Sequence, residues 1–377
     1  MRSRARPPKG IKTPLAARAR GTAAPAPAAI IEMPTVRILV IAPNWIGDAL
    51  LAQPLLARLQ QRLPGVTIDV LAPAWTAPVI KRMPEVAEVL STDFRHGDLR
   101  LMDRWKLGRA LKLQGYSQAY VLPNTFKSAL LPFFADIPLR VGYVGESRYG
   151  LLNVVHKLDA KKLPLMAERY AQLAEAPGES VVLPLAPSHL RVDEGNLLIT
   201  VSRLGLDRSR PVAAFCPGAE YGPSKRWPAR HFAELARRLA ARGSAAWLIG
   251  SDKDRAIAED IVTLSDGAAI NLCGRTDLAA AIDLLSAAQL VVSNDSGLMH
   301  IAAALGRPLV ALYGSSSAEH TPPLAQEGRP ARLLHVDGLE CRPCFQRECP
   351  LGHFKCMNDL APERVMTEIT EISATAI

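Results

Sequence analysis

Apolar residues in this chain come in short, dense runs separated by longer stretches of helical period. "VRILVIA" (residues 36–42), "TIDVLAP", "VAEVL", "AYVLP" and "LRVGYV" read as buried strands, and stretches such as "LMDRWKLGRALKLQG" between them space their apolar residues as an amphipathic helix does. After "MAERYAQLAEAPG" the alternation dissolves into "ESVVLPLAPSHLRV", where two prolines interrupt short apolar runs, and this segment reads as a linker. The alternation then resumes: strand "PVAAFCPG", helix "ARHFAELARRLAARG", strand "AAWLIGS", helix "DKDRAIAEDIVTLS", strand "AINLCG", helix "DLAAAIDLLSAA". Strand "QLVVSND", helix "SGLMHIAAALG" and strand "PLVALYGSS" complete it. Strands this apolar, alternating with amphipathic helices, predict α/β architecture with parallel sheets covered on both faces, in two doubly wound domains. Pro54 falls early in the first helical stretch, which runs through Arg62, and leaves that helix's boundary open.

Length agrees with two domains, because 377 residues exceed what one hydrophobic core usually supports. The expected division is an arm over 1–34, a first domain over 35–185, a second over 186–360 and a terminal helix over 361–377. No uninterrupted apolar stretch reaches the roughly 20 residues of a spanning helix, which argues against an integral membrane protein.

The net charge of +9 changes this picture less than it first suggests. Seven Lys or Arg and a single acid, Glu32, lie in the first 34 residues, so about six of the nine charges sit in a Pro/Ala/Arg-rich arm without hydrophobic periodicity. That arm is expected to be disordered; Met33, at the head of "MPTVRILVIAP", is an alternative start of the native chain. The remainder is only mildly basic, and no specific nucleic-acid partner is expected.

In doubly wound sheets ligands bind beyond the carboxyl ends of the strands, which here are "APNWIGD", "CPGAEYGPSKRWP", "IGSDKD" and "SNDSGLMH". No GxGxxG follows the first strand and there is no Walker A lysine motif. The turn from Ser293 to Gly297 enters a helix, whose free N–H groups could hold a diphosphate, with Ser296 and His300 on one helix face. The plain alternative makes Asn294 or Asp295 an N-cap and His300 a structural histidine. Lys225 and Arg226 precede a helix starting near Pro228 and would add phosphate-binding charge, or be solvated surface. Asp252, just past a strand, suits a ribose contact or a helix cap. Asp48, at the tip of the first strand, is placed either to deprotonate an attacking hydroxyl or to cap the next helix.

Six cysteines in a chain this long do not form a secreted disulfide framework. Cys216 and Cys273 read as core thiols, while Cys341, Cys344, Cys349 and Cys356 cluster in "CRPCFQRECPLGHFKC" with His353 among them. Four thiolates could close a tetrahedron around a structural zinc ion, although the spacing does not match the commonest zinc patterns; redox chemistry and unligated thiols are the alternatives.

Taken together, "PNWIGDALLAQPL", "PGAEYGPSKRWP" and "SNDSGLMHIAAALGRPLVALYG", in this order, resemble the lipopolysaccharide heptosyltransferases of glycosyltransferase family 9. The cysteine-rich "CRPCFQRECPLGHFKCMNDL" is similar to that family as well, and the resemblance runs from residue 36 to about 372. It implies a GT-B architecture: two Rossmann-like domains facing a central cleft, an acceptor-binding first half, an ADP-sugar-binding second half, and a final helix, "APERVMTEITEI", able to cross back to the first domain.

By the same resemblance the enzyme inverts at the anomeric carbon and requires no cofactor or catalytic metal. Asp48 looks like the general base, Lys225, Arg226, Asp252, Asp295, Ser296, Gly297 and His300 like the donor site, and Asn44 and Trp45 fall to the acceptor. The implied donor is ADP-heptose and the acceptor the inner heptose of a lipid A-linked core, at the cytoplasmic side of the inner membrane with possible peripheral contact to anionic lipid. Three rivals remain at this point: a sister transferase with another acceptor, the first core position or a protein; a nucleotide-sugar epimerase; and a non-catalytic binding protein using the basic arm.

Overall fold

The computed structural model describes residues 36–95 and 97–375. The arm expected over 1–34 lies outside the described residues. In the first half, β1 (Arg37–Ile41), β2 (Thr67–Pro73), β3 (Glu88–Thr92), β4 (Gln118–Val121), β5 (Leu139–Tyr143) and β6 (Val154–His156) form one parallel sheet in the order β3-β2-β1-β4-β5-β6. In the second, β7 (Val212–Cys216), β8 (Ala245–Leu248), β9 (Ala269–Asn271), β10 (Leu290–Asn294), β11 (Leu309–Leu312) and β12 (Ala331–Leu334) pair in the order β12-β11-β10-β7-β8-β9. Counted from its own first strand, each sheet runs 3-2-1-4-5-6, so one topology is used twice. Each therefore has a switch point beside its first strand, where doubly wound sheets bind ligands.

Helices of the first half are α1 (Ile46–Leu51), α2 (Gln53–Arg62), α3 (Ala77–Ile80), α4 (Leu101–Lys112), α5 (Phe126–Phe134) and α6 (Met166–Gln172). Those of the second are α7 (Glu194–Leu204), α8 (Ala229–Ala240), α9 (Arg255–Leu264), α10 (Leu278–Ser286), α11 (Gly297–Ala304), α12 (Lys355–Asn358) and α13 (Pro362–Thr375). Pro54 accounts for the break between α1 and α2: it occupies the first turn of α2, where its missing N–H is harmless, and Ala52 is shared as the end of one helix and the cap of the next.

The central strands β7, β8, β10 and β11 are buried along their whole length, which is why they read from sequence as unbroken apolar runs. A single apolar core joins the halves: Leu50 and Leu51 of α1 and Val79 and Ile80 of α3 belong to the same buried cluster as Ile282 of α10 and Ile301 of α11. The proline-rich segment between the halves carries neither helix nor strand and is hydrogen-bonded to both. Buried Gln53 grips His189 by both backbone groups, Ser188 Oγ donates to the Leu50 carbonyl (3.0 Å), and the Leu190 N–H donates to Ala304 (3.1 Å).

The final helix departs from expectation. Val365, Met366, Ile369 and Ile372 of α13 enter the core of the second half beside Phe215, Trp227 and Phe232, and α13 packs against α8 instead of crossing back to the first half. Its apolar stripe is fully used there.

Candidate active site

Asp48 sits in the first turn of α1, but it is not the helix cap. The N-cap position belongs to Trp45, and the Asp48 carboxylate accepts no hydrogen bond from any described residue. Burial pushes its pKa up to about 6, against the pull of His320 and Lys225 and with a small further push from Asp295. A carboxylate poised near neutrality and left without partners is suited to taking a proton. Its neighbours in the sequence are more open: Trp45 and Asn44 are exposed at the rim, and Trp75 Nε1 donates to the Asn44 carbonyl at 2.8 Å.

Opposite Asp48 stands the start of α11. Ser296 is its N-cap residue and makes no side-chain capping bond, so the first N–H groups of α11 remain available to an anion. Two glycines allow the approach. A Cβ on Gly47 would stand 2.9 Å from His300 Cδ2, and one on Gly297 would stand 2.9 Å from the side chain of Ile46. Helix starts from the two sheets thus meet nearly in contact.

His300 is buried, with Nδ1 unpartnered, and desolvation lowers its pKa to about 4, so the ring is neutral near pH 7. Lys225 reaches the same place from the β7 loop: its Nζ lies 2.5 Å from Asp295 Oδ2 and 4.9 Å from the centre of the Tyr221 ring. Asp295, which the plain sequence alternative made a helix cap, is instead the counter-ion that holds this lysine, together with a hydrogen bond from Ser316 Oγ at 2.5 Å. Arg226 follows on the same loop with its Nε buried and unpartnered.

Several residues for which the sequence suggested no part in binding the donor build this arrangement. Fully buried Asn294 accepts from the Trp227 N–H (3.1 Å) and donates to the Pro217 carbonyl (2.7 Å), locking the lysine loop to β10. The cysteine-rich segment supports that loop from behind: Tyr221 OH donates to the Phe345 carbonyl at 2.5 Å, the Ser224 N–H to Arg347 at 3.2 Å, and Arg342 to the carbonyls of Gly314 and Ser316. Its four cysteines and His353 line one small pocket beside Ser224 and Ser315. All four are free thiols, and among the described residues no three His, Cys, Asp or Glu side chains are grouped so as to hold a metal ion.

His320, another unforeseen neighbour of Asp48, bridges the halves through Nδ1 to the Pro164 carbonyl (2.9 Å), while its own carbonyl accepts from the Met166 N–H (3.0 Å). Asp252 pairs with neither Lys225 nor Asp295. It is largely exposed, paired with Arg255 at 2.6 Å, and is not the helix cap expected as its alternative: the cap residue after β8 is Ser251, whose N–H (2.9 Å) and Oγ (2.7 Å) donate to Asp254 in a capping box.

An acid facing a helix start and a held lysine, at the switch points of two like sheets, can serve transfer from a diphosphate-activated donor. Similarity to known proteins agrees. The sequence model for glycosyltransferase family 9 (heptosyltransferase) matches residues 104–355. Lipopolysaccharide heptosyltransferase 2 of Escherichia coli (strain K12) is 45% identical over 346 residues, covering 89% of this chain and 98% of that protein. Lipooligosaccharide heptosyltransferase 2 of Haemophilus ducreyi is 42% identical over 90% of this chain and 100% of its own. The structure of E. coli ADP-heptose LPS heptosyltransferase II superposes with a TM-score of 0.79 at 43% identity, over 89% of this chain and 98% of that one. The two sheets with their facing helix starts are therefore the two domains of a GT-B enzyme, and the chain belongs to glycosyltransferase family 9, the heptosyltransferases.

Proposed function

We propose that this enzyme moves L-glycero-D-manno-heptose from ADP-heptose to the inner heptose of a lipid A-linked lipopolysaccharide core, with inversion at the anomeric carbon. Identity above 40% across nearly the whole of two relatives named heptosyltransferase 2 is the observation that carries this reading over a transferase for the first core position or for protein, and over an epimerase.

In the proposed step, an acceptor hydroxyl oxygen attacks the anomeric carbon, the bond from that carbon to the diphosphate oxygen breaks, and ADP departs. The hydroxyl proton passes to Asp48, whose raised pKa and free lone pairs support the assignment. Lys225, Arg226 and the open N–H groups at Ser296 and Gly297 would take the charge that grows on the leaving diphosphate. Asp295 keeps Lys225 in position before the donor arrives, and neutral His300 offers a hydrogen bond without adding charge. Asn44 and Trp45, exposed on the first half's rim, are proposed to meet the acceptor, and Asp252 to reach the ribose from the edge of the β8 loop.

Among the described residues no helix is long and apolar enough to cross a membrane. Because the acceptor is lipid-linked, we place the enzyme at the cytoplasmic face of the inner membrane, in peripheral contact with it. The deciding experiment incubates the purified chain with ADP-heptose and a monoheptosylated Kdo-lipid A acceptor, following ADP release and product mass. Acceptor-dependent ADP release with one added heptose supports the proposal; release without acceptor modification, or none from folded protein, overturns it.

A further inference from the structure

Helix α4 carries apolar residues on the wrong side. Around its axis, the inward positions are Arg104, Gly108 and Leu111, yet Leu101, Met102 and Trp105 are 52%, 62% and 47% exposed, and Leu113, just past its end, is 87% exposed. At 100° per residue these four fall within an arc of about 120°, and Lys106, Arg109 and Lys112 fall in or beside the same arc. No acid shares it. Asp103 lies about 80° outside it, half exposed and paired with Arg100 at 2.8 Å, and Asp136, in the turn after α5, pairs with both Arg109 and Lys112.

The helix cannot roll to hide this face. Arg104 is buried beneath it, its guanidinium donating to the carbonyls of Leu99 (2.6 Å), Asp98 (3.1 Å) and Lys127 (3.3 Å) and stacked 4.1 Å from the centre of the Phe94 ring. On the same side Gly108 sits so close to α5 that a Cβ there would stand 2.5 Å from Phe134 Cβ. An arginine anchor and a glycine contact fix the apolar and basic arc outward. The start of α4 follows β3, at the carboxyl end of the first sheet, the same rim that bears Trp45 and Trp75.

We propose that the outer face of α4 is the surface by which the enzyme docks on an anionic lipid bilayer. Leucine, methionine and tryptophan side chains interleaved with lysine and arginine are the composition of a helix lying in a membrane interface, where the apolar groups enter the acyl boundary and the cations meet lipid phosphates. Docking there sets the acceptor-binding half against the membrane and leaves the second half free to receive its soluble donor. The inference deepens the functional reading and rests on it for the lipid-linked acceptor, but its test does not depend on activity.

The full chain is mixed with phosphatidylglycerol-containing vesicles and, separately, with phosphatidylcholine vesicles, and flotation is measured. The chain is expected to float with the anionic vesicles only, and the triple variant Leu101→Glu/Met102→Glu/Trp105→Glu to lose about tenfold or more in vesicle affinity. A milder pair, Lys106→Gln/Trp105→Ser, guards against a folding defect. Brominated lipid is expected to quench the parent's fluorescence more than that of Trp105→Phe. Turnover on a deacylated, water-soluble acceptor should match the parent in every variant, while turnover on vesicle-embedded acceptor falls. Unchanged flotation in the variants, as when the basic arm alone binds lipid, or equal quenching with and without Trp105, overturns the assignment.

Discussion

The backbone of Gly47 lies against the imidazole of His300, at a separation where even a methyl group would stand 2.9 Å from Cδ2 and 3.2 Å from Nε2. Gly47 belongs to the helix that carries Asp48 and His300 to the helix proposed to face the diphosphate, so in that reading this contact sets the distance between base and donor. Gly47→Ala should gain up to about 1 kcal/mol of helix propensity while forcing apart two groups that cannot yield. Its unfolding midpoint should therefore shift little. Turnover should fall about 10- to 100-fold, because small misplacements of reacting groups are costly. Steady-state kinetics beside thermal unfolding reads both; a variant with parental turnover would mean that this contact does not set the reacting geometry.

Asp48→Asn should lose about a hundredfold to ten-thousandfold in turnover if the carboxylate is the base. Two pH signatures go with it. Parental turnover should rise with pH through about 6 and then level, as the carboxylate ionises. Stability should change in the opposite sense. Because the folded chain holds this proton more tightly than the unfolded chain does, the fold gains from protonation below the unfolded value near 3.8, and loses that gain as pH rises through about 6. The buried charge then costs up to about 3 kcal/mol, one pKa unit being about 1.4. The amide carries no such cost, so the stability of Asp48→Asn relative to the parent should improve between pH 4 and pH 7. Denaturant unfolding of both proteins at these pH values measures it.

The two acids of "SDKD" should separate cleanly. Asp254 is buried and accepts two hydrogen bonds from Ser251, so Asp254→Ala should cost about 1–2 kcal/mol in unfolding experiments. Asp252 is exposed and makes only a surface pair with Arg255, so Asp252→Ala should stay within about 0.5 kcal/mol of the parent. If Asp252 touches the ribose, its effect should appear as a raised KM for the donor.

That pair also shows what the sequence made legible. Ser251 and Asp254 have the Ser-x-x-acid spacing of a capping box, a local signal that the reading of Asp252 as a helix cap overlooked. Ten strands were readable from their dense apolar runs, which buried central strands demand and which the partly covered edge strands β3 and β9 also carry. The two remaining ones, β6 and β12, are short edge strands only partly covered, and their sequences carry almost no pattern. Helix α5 was obscured by Pro132 within it. At the site, Asp48, Lys225, Asp295 and His300 were visible as strand-end residues, but which would pair was not. The union of Lys225 with Asp295, the hydroxyl of Ser316 and the bridge through His320 all join segments far apart in the chain: the first two depend on β7, β10 and β11 being neighbours in one sheet, the third on the meeting of the two halves.

The Lys225–Asp295 pair permits a test that separates holding from catalysis. Lys225 is mostly buried and Asp295 almost wholly so. Lys225→Met would leave the carboxylate buried with only the Ser316 hydroxyl, and removing one partner of a buried pair typically costs about 3–5 kcal/mol. Asp295→Asn in the same chain removes the stranded charge, so the double variant should regain most of that stability. Activity should not return with it, because the cation proposed to meet the diphosphate would still be missing. In a double-mutant cycle run on both observables, unfolding free energies should show strong coupling between the two positions. Turnover should be as low in the double variant as in Lys225→Met alone. Recovery of turnover along with stability would make Lys225 a structural residue and move the burden of diphosphate binding to Arg226 and the start of α11.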